Sequence, residues 1–482
     1  MKLIKPLICM VIIFPLIGLP APPEPAAASS EFPQSNAYYQ AKPSVVWCAD
    51  ASSTTTLEVH IVGRDDVKHV WLTGVVEATP GNPEGRARLF DDGTHGDEVA
   101  GDNIFTLAGV VLPCNPAAID PQKGYRGWLG FLRVELDDST ELGNNYGLWV
   151  AMVDPMYKGA FPAKDLGDGL SATSHAFFIV DTEHEIMSDY PVSDVRCGKT
   201  NFVAYQKLYS VYPDMFDFAT VMPGMQIFRE IDLAENVPYA IPVSNSVQNI
   251  GMSLFDNTAL FGSASRLRAV IYHSFGGIDI MDHELGHAWA AYVGGSLGLL
   301  HDSAHWSAMA DVQGQMGAYY IGPGGEIGHF AYNGDGTWRL IPNTEVEPYS
   351  PLELYVMGMI PPEEVPDIHI LEGPDLTDPD VITVDSFIKV TIEQIMAEEG
   401  GARVPSAAES QKDFTMAFIV TQDTPYNDAA YAFFSLSSRM LMSKEPPLMY
   451  SNHAPFYWAT GGRGTLDTSL YTSKIFLPVI SR

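Results

Sequence analysis

Hydrophobic and polar positions alternate every second residue along the first third of the chain, in Thr56-Leu57-Glu58-Val59-His60-Ile61-Val62, in Val67-Lys68-His69-Val70-Trp71-Leu72 and in Trp128 to Leu136. Such alternation marks half-buried strands, and Gly, Asp and Pro separate the runs. Several of these strands between residues 43 and 155 predict an immunoglobulin-like β-sandwich, preceded by a linker over 29–42. The pattern then changes. Residues 156–199 read as a connector, and Tyr212 to Val221 as a helix end running into a buried strand. Leu267 to Tyr272 and Met416 to Thr421 read as further buried strands. Met281, Leu285, Ala288, Trp289 and Tyr292 repeat at helical spacing, so a helix is expected from His283 to Val293 and a C-cap at Gly294-Gly295. Further helices are expected at 391–399 and 429–442. Ser350, Pro351 and Glu353 form the N-cap, first position and third position of a capping box.

Composition adds compartment and partners. Lys2 and Lys5, an apolar stretch from Pro6 to Leu19, and Ala26-Ala27-Ala28 form a secretory signal over 1–28, so the mature chain is expected outside the cytoplasm. No segment approaches the roughly 20 apolar residues of a membrane span, so none is expected. A formal charge of −32 argues against nucleic acid as a partner. Loss of the leader leaves Cys48, Cys114 and Cys197, and Cys48 with Cys114 is the preferred disulfide because both lie in one predicted domain.

The candidate chemistry centres on His283-Glu284-Leu285-Gly286-His287. Residues four apart on a helix lie one turn along the same face, so His283 and His287 can share a Zn2+ ion, and Glu284 can take a proton from water beside it. Catalytic zinc takes a third protein ligand. The metzincin continuation would need Gly at 290 and His at 293, where this chain has Ala290 and Val293. His305 is therefore the preferred third ligand, with Glu353, His301, Asp302 and Asp311 as alternatives. Glu353 is already explained by its capping box. The acidic stretch from Asp91 to Asp102 is either a calcium (Ca2+) loop or a structural hairpin.

The helix His283 to Val293, the His305-Trp306 pair, Gly334 to Trp338 and Tyr349 to Gly358 make residues 200–365 resemble a group of secreted bacterial zincin-like metallopeptidases. The resemblance extends weakly into 366–482, a C-terminal α/β extension. It implies an α+β zincin-like catalytic domain, zinc, and hydrolysis of a protein or peptide substrate by a Glu284-activated water. The sandwich would attach the enzyme to a cell surface or polymer. Arg196-Cys197-Gly198 resembles the core of the cysteine switch of matrix metalloproteinases. Two rival readings are an adhesin or carbohydrate-binding protein with a relic metal site, and a zinc hydrolase of non-peptide substrates.

Overall fold

Two facing sheets account for the alternation of the first third. The structure, a computed structural model, describes residues 37–182, 186, 202–224, 239–272, 281–302, 304–321, 327–342, 347–445 and 455–470. Strands β1 (Ala37–Lys42), β2 (Val45–Trp47), β3 (Thr55–Ile61), β4 (Val67–Leu72), β5 (Ala87–Leu89), β6 (Ile104–Val110), β7 (Tyr125–Leu136) and β8 (Glu141–Val153) form a three-stranded sheet, β1-β3-β6, and a five-stranded one, β2-β8-β7-β4-β5. Leu57, Val59 and Ile61 of β3 point into the space between the sheets, where they meet Val70, Leu132 and Val134. Each such burial stabilises the fold by about 1.5–3 kcal/mol. The Cys48–Cys114 disulfide, with Cα atoms 5.4 Å apart, joins the segment after β2 to the segment after β6 and so ties one sheet to the other. Residues 37–42, expected as the end of a linker, are instead strand β1. They pair antiparallel with β3 and bury Ala37, Tyr39 and Ala41.

The second unit is built on an eight-stranded mixed sheet. Its strands are β9 (Lys164–Gly167), β10 (Leu170–Ala172), β11 (Phe177–Val180), β12 (Phe218–Pro223), β13 (Tyr239–Pro242) and, after the short pair β14 (Ser244–Asn245) and β15 (Phe255–Asp256), β16 (Ala269–Tyr272). The chain adds β17 (Tyr320–Ile321), β18 (Ile327–Tyr332), β19 (Trp338–Pro342), β20 (Ile368–Glu372) and β21 (Ser386–Val390) to smaller sheets, then returns with β22 (Asp413–Gln422) and β23 (Thr465–Asp467). The order is β13-β16-β12-β22-β11-β10-β9, with β23 beside β22. Strands β16, β12, β22 and β11 run parallel. One expectation changes here. The described part of 156–199, expected as a connector, contributes β9, β10 and β11 to this sheet, and the C-terminal extension supplies its central strand β22. Parallel pairing joins segments far apart in the chain, which local patterning does not register.

Both faces of this sheet are covered, by helices α1 (Val203–Val211), α2 (Met281–Gly286), α3 (Pro351–Met357), α4 (Ile392–Glu398), α5 (Asp428–Met440) and α6 (Phe456–Ala459) together with their loops. The pleat sorts the residues: Met416, Phe418, Phe218 and Ile271 share a core with α2, α3 and α5, whereas Ala417, Ile419, Ala219 and Val270 face α1. Helix α5 also closes against the sandwich. Asn427 at its N-cap donates to the Val45 carbonyl at 3.0 Å, and the Phe433 ring lies 4.6 Å from Tyr125. Asp311 ties the smaller sheets together, accepting from Trp338 Nε1 at 2.9 Å and His369 Nδ1 at 2.8 Å. Among the described residues no helix is long and apolar enough to cross a membrane.

Candidate metal centre

Strand β16 leads towards α2, whose six residues are all buried. Asp282 and Glu284 lie in its first turn, where carboxylates favour the helix dipole. The helix ends earlier than its apolar repeat predicts. After Gly286 the Ala288 and Trp289 N–H groups bond three residues back, and the Trp289 ring packs against Phe218 and Phe414 at 5.6 and 5.4 Å. Tertiary packing of Trp289 thus replaces the last helical turns expected before Gly294. His287 still lies one turn beyond His283, with ring centroids 4.9 Å apart and planes at 87°.

The loop after the glycine turn brings in the third imidazole. His305 lies 5.3 Å from both other rings, and one nitrogen from each of the three residues falls within 4.8 Å of the others. All three side chains are buried. Asp302 shapes the approach: its Oδ1 accepts from the N–H groups of Ala304 and His305, and its Oδ2 lies 3.0 Å from His305 Nδ1. Burial pushes the Asp302 carboxyl up, but the His305 and backbone hydrogen bonds outweigh it and hold it down at about 2. His283 Nδ1 donates to the Gln315 carbonyl at 2.5 Å.

These outer contacts fix the tautomers. A carbonyl and a carboxylate only accept, so Nδ1 carries the proton on both His283 and His305, and their Nε2 atoms face each other at 3.3 Å. Two lone pairs at that distance repel unless a positive charge, a shared proton or a metal cation, lies between them. Burial, then the neighbouring His305, pushes His283 down to about 3, and burial pushes His287 well below its ordinary value, so neutral imidazoles are favoured there. Neither ring nitrogen of His287 has a hydrogen-bond partner of ordinary geometry, though the Ala290 backbone lies near enough to favour a protonated ring. Glu284 is 1% exposed and its Oε2 is likewise without a partner. Burial drives its carboxyl well above the usual range, opposed by the backbone of Ala240 in β13. Three convergent nitrogens, two of the rings with oxygen partners on their far side, and a carboxylate oxygen without a partner fit a metal ion.

The other sequence candidates lie elsewhere. Glu353 is fully buried and its capping box is formed, with both carboxylate oxygens occupied by N–H donors. His301 is exposed, and Asp311 is engaged by Trp338 and His369. Met316 packs beneath the helix at Gly286, where a Cβ would come within 2.5 Å of its sulfur. Nearby, Tyr355 accepts from the Arg403 N–H, Tyr319 stacks on His329 and Tyr320 packs on Phe330. The Gln315 carbonyl had no signature in sequence, because any residue supplies one. Cys197 and the 1–28 leader lie outside the described residues.

The acidic stretch also converges, with Asp91, Asp97 and Asp102 oxygens within 4.8 Å of one another. There Asp91 accepts from the N–H groups of Gly101, Asp102 and Asn103, and Asp97 from those of Gly93 and Val99. These bonds account for the carboxylates as loop-forming groups. No protein-family model matches the chain, and neither the curated proteins nor the solved structures include a match to it.

Proposed function

We propose that the protein is a zinc-dependent endopeptidase, with His283, His287 and His305 holding the ion and Glu284 as general base. In this reading the sandwich is immunoglobulin-like and the eight-stranded unit is a zincin-like catalytic domain. The observation that carries the reading is the pairing of three buried, convergent imidazoles with an adjacent buried carboxylate whose Oε2 lacks a partner. When bound, zinc would supply Lewis acidity towards a carbonyl oxygen and would acidify water. Glu284 would take a proton from the attacking water as its oxygen bonds the carbonyl carbon and deliver it to the amine nitrogen as the C–N bond breaks, so no covalent enzyme intermediate is needed. Asp302 and the Gln315 carbonyl keep the His305 and His283 rings in the tautomer and orientation that ligation requires. Edge strand β13, antiparallel to β16, lies alongside Glu284 and offers extended backbone to a peptide.

The test is metal reconstitution followed by cleavage of a peptide library. Glu284→Gln is expected to keep its zinc and lose about 10²–10⁴-fold in hydrolysis, the range for removing a general base. Undiminished cleavage by the zinc-loaded variant contradicts the mechanism. Zinc uptake with cleavage of esters or other non-peptide substrates alone would move the assignment to a different hydrolase.

A further inference from the structure

We infer that Glu353 is a positioning residue of this centre, holding with one carboxylate the two segments that orient His305 and His283, and is not a ligand. The inference rests on the zinc reading above.

Four N–H groups converge on its two oxygens. Oε1 accepts from Met316 N at 2.7 Å and Trp306 Nε1 at 3.1 Å, and Oε2 from Ser350 N at 2.7 Å and Gln315 N at 3.1 Å. A carboxylate has about four lone-pair sites, so this arrangement leaves none for a cation. Burial pushes the carboxyl up to about 7, and those same four bonds oppose the rise.

The donors carry the consequence. Trp306 is fully buried and follows His305 directly; its own N–H donates to the Met316 carbonyl at 2.9 Å, and Ala318 N returns to the Trp306 carbonyl at 3.0 Å. The ligand loop and the segment 315–318 are therefore joined side by side, with Glu353 gripping both. Gln315, held at its N–H by Glu353, presents the carbonyl that receives the His283 Nδ1 proton. Gly314 is part of the same fit, since it has φ of +86° and a Cβ there would stand 2.2 Å from Glu353 Oε2. Glu347 steadies the segment from its other side, its Oε2 accepting from Gly314 N at 3.2 Å and lying 2.8 Å from His329 Nδ1.

Capping alone would need less. Ser350 Oγ accepts from Glu353 N at 3.3 Å, and that hydroxyl can be removed without disturbing any of the four carboxylate contacts. Glu353→Gln keeps the side-chain length but turns one end into a donor facing N–H groups.

Zinc affinity, read by competition with a chromophoric chelator, and the visible spectrum of the cobalt-substituted protein separate the roles in the full chain. Glu353→Gln is expected to stay folded by circular dichroism and bind zinc about 10–100-fold more weakly, as loss of an outer-shell partner does, with the cobalt ligand count preserved. Ser350→Ala is expected to lower the melting temperature and leave zinc affinity unchanged. Should Glu353→Gln fail to fold, Trp306→Phe decides: it removes the indole N–H donor, keeps a smaller aromatic ring, and is expected to weaken zinc several-fold. Wild-type affinity in Glu353→Gln, or in Trp306→Phe in that second case, overturns the inference. So does a cobalt spectrum reporting a lost ligand in Glu353→Gln. A wild-type chain that takes up no zinc overturns the zinc reading itself, which the chelator assay shows before any variant is compared.

Discussion

Among the described residues two clusters bring three metal-ligating atoms within 4.8 Å of one another, and they differ in what those side chains are already doing. In the acidic loop of the sandwich, Asp91 and Asp97 serve five backbone N–H groups between them. At the α2 centre the polar atoms are buried deeper and bound less: both His287 nitrogens and Glu284 Oε2 have no hydrogen-bond partner. Leaving such groups unpaired costs about 1–3 kcal/mol each, which a fold retains where another ligand supplies the missing interaction. Convergence alone is therefore a weak sign of a metal site. Unused hydrogen-bonding capacity at the point of convergence is a stronger one.

The contrast breaks most visibly at His287. Replacement by Leu, of similar volume, is expected to abolish zinc uptake, a loss greater than the roughly 10–100-fold of an outer-shell change. It is also expected to stabilise the metal-free protein by about 1–3 kcal/mol, because two buried, unpaired nitrogens are removed. Chemical denaturation without zinc checks the sign; a variant less stable than wild type would mean that His287 is satisfied in the folded chain. Asp91→Ala should show the opposite behaviour. It removes an acceptor from three N–H groups and is expected to destabilise the sandwich by about 1–2 kcal/mol. Calcium gives the smallest effect. Since binding to the native state raises the melting temperature by mass action, no shift is expected on adding calcium, and a shift abolished by Asp91→Ala would make the loop an ion site after all.

The parts of this architecture that follow from neighbours in sequence were legible there. Strands β3, β4 and β7, the capping box at Ser350 and the Cys48–Cys114 pair all rest on local alternation, short offsets or membership of one predicted domain. His305 was reachable because it closely follows the glycine turn. Placement of β22 between β11 and β12 was not legible, since its run reads the same in any parallel sheet. Strands β9 to β11 are too short to stand out from a connector. Helix α2 ends before its apolar repeat does: Ala288 to Tyr292 continue the repeat, while Trp289 packing, invisible to periodicity, ends the helix. Glu353 shows the limit most clearly. Its capping box was evident, but Trp306, Gln315 and Met316 as its donors come from segments about 40 residues upstream.

The most direct test of the three-histidine centre is zinc content after reconstitution and gel filtration, compared between the wild-type chain and His305→Ala. About one tightly held zinc per wild-type chain and almost none in the variant is the expected result. A wild-type chain without zinc, or a His305→Ala chain that keeps a full equivalent, would contradict it.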